Sequence, residues 1–375
     1  MTTLAGELST LDPALLERLE ARGFRPELLL SWAASLGADP ALRNRLPGLV
    51  EAVPRGSVAS RRRSDELVAL GRRALDEGRV AVCVLAGGMA TRMGGVVKAL
   101  VEALPGRTFL DLRLAEIAAL EARGARVPLW LMTSEPTDGP IREALGGREH
   151  GRLAATFEQF VSLRLERSGA LFRVDGEPSV HATGHGDLPD ALVKSGLLEA
   201  FVARGGRHVW ISNLDNLGAS VDEAILGHHL ASGAALTAEV VEKRAGDAGG
   251  GPVLHDGRVI IAENFRLPPS FDPSTVPVFN TNTFLVEAEA LLRLAMPWTY
   301  LEVKKQVAGR EAVQFERLLG ELTMALDTHL LEVPRDGLAS RFLPVKSHDD
   351  LAALASLLRE RRLGERVVGA SPTAR

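Results

Sequence analysis

Absences narrow this sequence first. Its only cysteine, Cys83, lies inside an apolar run, so an internal disulfide is excluded and a small buried core residue is expected there rather than a reactive thiol. No window approaches the 18 or more apolar residues of a membrane-spanning helix, and Met1 to Asp12 has neither a basic region nor an apolar stretch of signal length. The net charge of −4 carries none of the basic excess of a general nucleic-acid binder, so an anionic ligand has to be met by local cations. The chain holds no internal repeat and no low-complexity tract. Neither the Walker spacing of two glycines followed by Lys and Ser or Thr, nor the dinucleotide fingerprint G-x-G-x-x-G, occurs after its first apolar strand. The expectation is a cytoplasmic protein with no membrane or nucleic-acid partner.

What is present is an ordinary globular composition, 46% hydrophobic and 25% charged over 375 residues, enough for one large α/β domain or two smaller ones. The densest signal is Val82-Cys-Val-Leu-Ala-Gly-Gly-Met-Ala-Thr-Arg-Met-Gly-Gly-Val-Val-Lys98. Val80 to Leu85 reads as a buried parallel strand. Gly87 and Gly88 then remove Cβ atoms where the backbone must bend and let N–H groups approach a ligand. A plain tight turn would read the same way, but Arg92 and Lys98 follow within the loop's reach and can neutralise phosphate oxygens.

Residues 12 to 36 read as short helices without a chemical motif, and Pro54 to Arg63 as a solvated linker or helix flank that ends in three arginines. A helix from Ser64, its N-cap, to about Gly78 leads into the first strand. Helices over Thr108 to Arg123 and Asp187 to Arg204 alternate with strands Val127 to Met132 and His208 to Ser212, which implies βαβ units and a mostly parallel sheet with helices on both faces. Ala234 to about Val286 reads as an inserted antiparallel section beside the site. A helix near Ala312 to Leu326, a strand Leu330 to Val333, a helix Asp349 to Arg361 and a frayed tail from Gly364 complete the expectation. In such a sheet, ligands bind outside the carboxyl ends of the strands.

Three further segments carry candidate chemistry. Asp215, in Ser212-Asn-Leu-Asp-Asn-Leu-Gly-Ala219, falls at a strand's carboxyl end, where a carboxylate either holds a divalent metal or makes local backbone hydrogen bonds. The phosphate loop beside it favours the metal. In Thr183-Gly-His-Gly-Asp187 the flanking glycines bring His185 to the front of a loop that begins a helix, suited to contacting an anion, with Asp187 as the helix N-cap. In Val278 to Val286, strand alternation places Asn280 and Asn282 on one side and Thr281 and Thr283 on the other, and the amides can read sugar hydroxyls or satisfy one another.

Together, Leu85-Ala-Gly-Gly88, Met132-Thr-Ser134, Thr156-Phe-Glu-Gln159, Gly184-His-Gly-Asp187, Asn213-Leu-Asp-Asn-Leu-Gly-Ala219, Phe279-Asn-Thr-Asn282, Val313-Gln-Phe-Glu316 and Arg341-Phe-Leu-Pro-Val-Lys346 resemble, in this order, the UTP:glucose-1-phosphate uridylyltransferase family. The resemblance covers roughly Arg79 to Leu358. It implies a Rossmann-like nucleotidyltransferase fold related to GT-A folds for a catalytic domain at 64–346, while 1–63, outside the resemblance, is expected to be a helical extension and linker and 347–375 a C-terminal helix and tail. Family members of eukaryotic type continue into a long C-terminal β-helix, whereas here only a helix-sized segment follows Lys346, so no such β-helix is expected. The resemblance implies transfer of a uridylyl group from UTP to glucose 1-phosphate, with release of pyrophosphate. Leu85, Ala86, Gly87 and Gly88 would lie against the nucleotide, Gln159 would read the uracil, and Gly184 and Asp215 would also contact the nucleotide. His185 would meet the sugar phosphate, Asn213, Leu214 and Asp215 the product, and Asn282 in preference to Asn280 the sugar hydroxyls. Asp215 would hold Mg²⁺, and Lys305, nine residues before Gln314, would bind phosphate and support catalysis together with Lys98 and Arg92.

The chain departs from the family in its loop. Val97 stands where a proline usually precedes the lysine, the approach to Lys98 is shorter, and Ala90 replaces a glycine ahead of an Arg92 more typical of N-acetylhexosamine and bacterial sugar-nucleotide pyrophosphorylases. The sugar is therefore open, with N-acetylglucosamine 1-phosphate or another sugar 1-phosphate as the alternative. A binding protein without turnover is the rival from another class, disfavoured by the retained Lys98, Asp215 and Lys305. A Rossmann oxidoreductase is disfavoured by the missing fingerprint.

Overall fold

A computed structural model describes residues 3–361, except 38, 40–42, 147–153 and 248. Its centre is an eight-stranded sheet. In chain order the strands are β1 (Val58–Ser60), β2 (Val80–Leu85), β3 (Leu129–Thr133), β4 (Ala154–Glu158), β5 (His208–Asn213), β6 (Leu236–Glu242), β7 (Val278–Glu287) and β8 (Thr328–Glu332). Across the sheet they lie β1-β8-β6-β7-β5-β2-β3-β4, and β7 alone runs antiparallel to its neighbours.

The middle strands are continuous apolar runs because both their faces are covered. Val80, Val82 and Val84 enter one core with Leu110 and Ile117 of helix Phe109–Glu121, Leu75 of helix Asp65–Asp76 and Ile225 of helix Glu223–Ser232. Ala81 and Cys83 point the other way, into a core with Leu188 and Leu192 of helix Leu188–Lys194 and Phe201 of helix Leu197–Ala203. Burial pushes the Cys83 thiol far up, which fits the inert core residue expected. The helix starts are as the sequence suggests: Ser64 Oγ accepts from Leu67 N–H, and Thr108 forms a capping box with Asp111.

Several elements differ from expectation, each for a local reason. The segment 312–326 is not one helix: Arg310–Glu316 is a strand paired with Leu301–Val307, followed by short helical turns at Leu319–Glu321 and Leu322–Ala325. Its apolar residues at 313 and 315 alternate with polar 314 and 316, a period of two that decides against a helix. The expected helix over 187–204 is two, parted at Gly196 with φ of +74°. Within the antiparallel insertion only the hairpin Gly250–His255/Arg258–Glu263 is inserted, with Val50–Ala52 as its third strand. The strands β6 and β7 that bracket it belong to the central sheet. The stretch read as a linker contains the edge strand β1, and Arg61 is drawn in by Asp222 at 2.6 Å rather than solvated. The tail from Gly364 lies outside the described residues. No described helix is long and apolar enough to cross a membrane.

At the amino ends of the strands sits a buried relay: His208 Nδ1 and His229 Nε2 are 3.1 Å apart, and His229 Nδ1 is 2.9 Å from Thr237 Oγ1. Burial, reinforced by Arg207 and Arg79, lowers His208 to about 4. Burial, reinforced by His208 and His329, lowers His229 to about 3. As pH falls below the ordinary value of 6.5, the unfolded chain takes up these protons while the folded chain refuses them, so the pair's stabilisation declines from pH 6.5 downward. His229→Gln is expected to flatten the fall in unfolding free energy between pH 6.5 and 4 by about 1.4 kcal/mol per pH unit for the proton removed, read from urea melts. Equal slopes in variant and wild type would exclude the pair from the acid response.

Candidate functional site

Parallel pairing of β5, β2, β3 and β4 brings four loops to one rim of the sheet. Leu85 lies opposite Asn213 on one side and Met132 on the other, and Glu158 pairs with Thr133, so the Gly-rich loop, Ser134, Gln159 and the 213–219 loop begin side by side. Because β7 runs the opposite way, its beginning, not its end, meets this rim.

The Gly-rich side of the rim is closely fitted. A Cβ on Gly87 would come within 3.0 Å of the Gln159 side-chain nitrogen, and Ser134 Oγ donates to Gly87 O at 2.8 Å. A side chain there would press on the amide, which would have to give by a few tenths of an ångström. Ala86 N–H donates to Met132 O, and Leu214 N–H to Leu85 O. Gly88 O accepts from Lys98 N–H at 3.2 Å, and Lys98 Nζ reaches Asp215 Oδ2 at 2.5 Å. Arg92 is exposed on the short turn Thr91–Met93. Thus Leu85 to Gly88, Lys98, Gln159, Asn213, Leu214 and Asp215 share one rim.

Buried arginines hold these loops. Arg113 donates to Asn216 O and Ala219 O at 2.9 Å each and to Asn213 O at 3.4 Å. Arg341 forms a two-pronged pair with Glu239, both fully enclosed, and donates to Ser220 O. The segment after it completes the lock, since Leu343 N–H donates to Asn216 Oδ1 and Val345 N–H to Asp215 O. Asp187 stands at the N-cap position expected, but its carboxylate makes no cap hydrogen bond and is instead buried against Arg317 at 2.7 Å, accepting also from Thr183 Oγ1 and Phe160 N–H. Burial raises it to about 6 against the pull of Arg317. This joint ties the Gln159 loop to the His185 loop.

The second half of the rim gathers around His185. Its Nδ1 accepts from Leu319 N–H at 2.9 Å, and burial lowers its pKa, with Glu316 pulling the other way. The ring is therefore a neutral donor through Nε2, not the cation an anion contact first suggests. His185, Asn280, Asn282 and Glu263 line one small cavity. The two amides reach it by a bulge and not by simple alternation: Glu239 pairs with Thr283 but Val240 with Asn280, and Asn282 takes φ of +57° with its N–H on Asn280 Oδ1. Asn282 Nδ2 donates to Asn213 Oδ1 at 2.9 Å, which joins the two halves of the rim. Lys305 stands on strand Leu301–Val307, half exposed, with Nζ 3.6 Å from Glu316 Oε1. Gln314 Nε2 also donates to Glu316, and Gln314 Oε1 accepts from Arg164 Nε at 2.8 Å.

Glu263 and Arg113 escaped the sequence reading. Glu263 ends the apolar strand Arg258–Glu263, and burial raises its pKa. A carboxylate closing an apolar run was the available signal. Arg113 sits in the largely apolar helix Phe109–Glu121, and a cation in such a stripe is the mark of one that satisfies buried carbonyls.

A glycine-rich loop beside a buried amide, a carboxylate paired with a lysine, and an amide- and carboxylate-lined cavity meet at the strand ends of an α/β nucleotidyltransferase fold. A sequence model of the UTP--glucose-1-phosphate uridylyltransferase family matches residues 51–371. The chain belongs to this family. It is similar to proteins named UTP--glucose-1-phosphate uridylyltransferase from Musa acuminata, 32% identical over 296 residues covering 74% of this chain and 62% of that protein, and from Saccharomyces cerevisiae, 33% identical over 301 residues covering 74% and 59%. The chain thus spans about three fifths of the length of these relatives. In fold it resembles a UDP-glucose phosphorylase from Trypanosoma brucei, with TM-score 0.74, 23% identity, and coverage of 95% of this chain and 79% of that one. A UDP-glucose pyrophosphorylase from Leishmania major in complex with UDP-glucose matches with TM-score 0.64, 24% identity, and coverage of 81% and 71%.

Gly184 tests how tightly the rim is assembled. It has φ of +96°, and a Cβ there would sit 2.5 Å from Arg317 O. Gly184→Ala is expected to lower the unfolding free energy by roughly 1–3 kcal/mol, measured by urea denaturation. An unchanged midpoint would mean that the Arg317 backbone yields.

Proposed function

We propose that this chain is a uridylyltransferase that forms UDP-glucose and pyrophosphate from UTP and glucose 1-phosphate. The observation that carries the reading is the meeting of Gly87, Gln159, Lys98 and Asp215 on one rim with the cavity of His185, Asn280, Asn282 and Glu263, in a member of this family. The first group suits a nucleoside triphosphate and the second a sugar. Names of relatives more than 30% identical to the chain favour glucose.

The chemistry asks for little beyond placement. A phosphate oxygen of the sugar phosphate attacks the α-phosphorus in line, its P–O bond forms as the bond to pyrophosphate breaks, and no general base is needed because the nucleophile is already ionised. Two anions must be brought together and neutralised. Lys98, Arg92 and Lys305 serve as cations, Gln159 reads the uracil edge, and the backbone of Leu85 to Gly88 and Gly184 lies against the nucleotide. Neutral His185 donates to the sugar phosphate, while Asn213 and Leu214 contact the product.

The residues present fit a magnesium ion of the kind that travels with phosphates. Among the described residues no group of three or more His, Cys, Asp or Glu could hold a metal, whereas magnesium commonly takes one or two carboxylates plus phosphate oxygens and waters. Asp215 would be that carboxylate. When bound, the ion neutralises charge on the phosphates.

The full chain with UTP, glucose 1-phosphate and Mg²⁺ is expected to release pyrophosphate, and Lys305→Ala to lower kcat far more than it raises KM for the sugar phosphate. No pyrophosphate with any sugar 1-phosphate of a panel would favour the binding-protein reading, and near-unchanged turnover in the variant would remove Lys305 from catalysis.

Glu263, carrying no ion pair among the described residues, supplies acceptors for sugar hydroxyls. Glu263→Gln is expected to raise KM for the sugar 1-phosphate about tenfold or more, with KM for UTP unchanged, since hydrogen bonds to a charged group are worth about 1.5–3 kcal/mol. Equal effects on both substrates in steady-state kinetics would place Glu263 outside the sugar subsite.

A further inference from the structure

We infer that the N-terminal segment is a brace that sets the position of Lys305, with Asn44 as its positioning residue; this rests on the proposed role of Lys305. The strands Leu301–Val307 and Arg310–Glu316 form a two-stranded sheet that shares no ladder with the central one. A hairpin of two strands is marginal alone and takes its orientation from what packs on it.

Leu165 exchanges backbone hydrogen bonds with Val313 on one side of it, and the rest of what packs on it comes in good part from residues that precede the family match. Helices Pro13–Ala21 and Pro26–Ala34 contribute Leu19 and Leu29, which with Phe24 share a buried cluster with Val313 and Phe315 of the hairpin. The Trp32 ring lies 4.2 Å from Tyr300 and 5.2 Å from Phe315, centre to centre. Asn44 then does what a neighbouring strand would do: its Nδ2 donates to Glu302 O at 2.9 Å and its Oδ1 accepts from Glu302 N–H at 3.0 Å. Arg43 pairs with the Glu302 carboxylate, and Arg266 Nε donates to Asn44 O.

Glu302 stands three residues before Lys305 on the same strand. Pinning both backbone groups of Glu302 fixes the strand at its root, while toward its tip Lys305 pairs with Ala312 in the hairpin and its Nζ lies 3.6 Å from Glu316. The same segment touches the uracil side, where Arg22 O accepts from Val161 N–H and Arg22 Nε lies 3.2 Å from Glu158, the residue before Gln159. One piece of chain therefore sets the separation between the nucleotide reader and the phosphate lysine.

The test is Asn44→Ala in the full chain. Expected are faster hydrogen exchange across Leu301–Val307 with Val80–Leu85 unchanged, and kcat lower by about tenfold at a KM for UTP within about twofold, because small misplacements cost rate more than affinity. Asn44→Asp keeps the acceptor, loses the donor and should fall between; it also serves if the alanine variant does not fold. Combined with Lys305→Ala, Asn44→Ala should lower kcat no further, as befits a residue that acts through the lysine. Unchanged exchange in the hairpin, or losses that multiply in the double variant, overturn the brace. A wild-type chain that releases no pyrophosphate overturns the proposed reaction, while the exchange arm still decides whether the brace exists.

Discussion

The parallel ladder of Leu129–Thr133, Val80–Leu85 and His208–Asn213 is the constraint on which the remaining structure depends. Each of these strands is apolar almost throughout, so each needs covering on both faces, and the helices that cover them are the connections between them. Parallel pairing then puts every strand's carboxyl end on one side. Loops from distant parts of the sequence, at Gly87, Ser134, Gln159 and Asp215, become neighbours without any of them having to reach. The single antiparallel strand Val278–Glu287 adds the amides of Asn280 and Asn282 by entering where its neighbours leave.

Loops at such a rim carry exposed backbone groups and would be mobile if nothing tied them. Arg113, Arg317 and Arg341 do this from beneath, each nearly or fully buried and each paired with carboxylates, loop carbonyls or both. Burying a charged pair brings little net stability, yet removing one partner is costly, so the pairs act as rigid pegs more than as glue. Arg317 also stacks 4.9 Å from the Trp298 ring centre and 5.5 Å from that of Tyr300, which excludes water from its pair with Asp187. The outcome is a rim whose reading groups stand on rigid supports while Arg92 and Lys305 remain exposed or half exposed at its edge.

In the proposed transfer between two anions this division would matter. The neutral amides at 159, 280 and 282 would orient a nucleotide and a sugar without adding to charge repulsion, and the cations Arg92, on a turn, and Lys305, on a hairpin, would neutralise the phosphates. Lys98 is itself balanced by Asp215.

How much was legible in advance follows from the range of the forces involved. The strand Val80–Leu85, the helix from Ser64 and the glycine-rich turn are local matters of composition, capping and steric freedom, and they read directly from consecutive residues. The family resemblance then supplied the order of motifs. What the sequence could not disclose is long-range: that the Asp187 carboxylate, at its helix's N-cap position, answers Arg317 rather than the helix's N–H groups, that a bulge turns Asn282 toward Asn213, that residues 310–316 pair as a strand, and that Glu263 closes the cavity of His185. Each depends on which side chain the folded chain brings within a few ångströms, and on the cost of burying a charge without a partner. The sequence by itself determined an α/β sheet with a glycine-rich, cation-bearing loop at a strand's end. Only the tertiary structure decided that Asn44 meets Glu302, because that contact exists solely when 258 positions of chain have been folded between them.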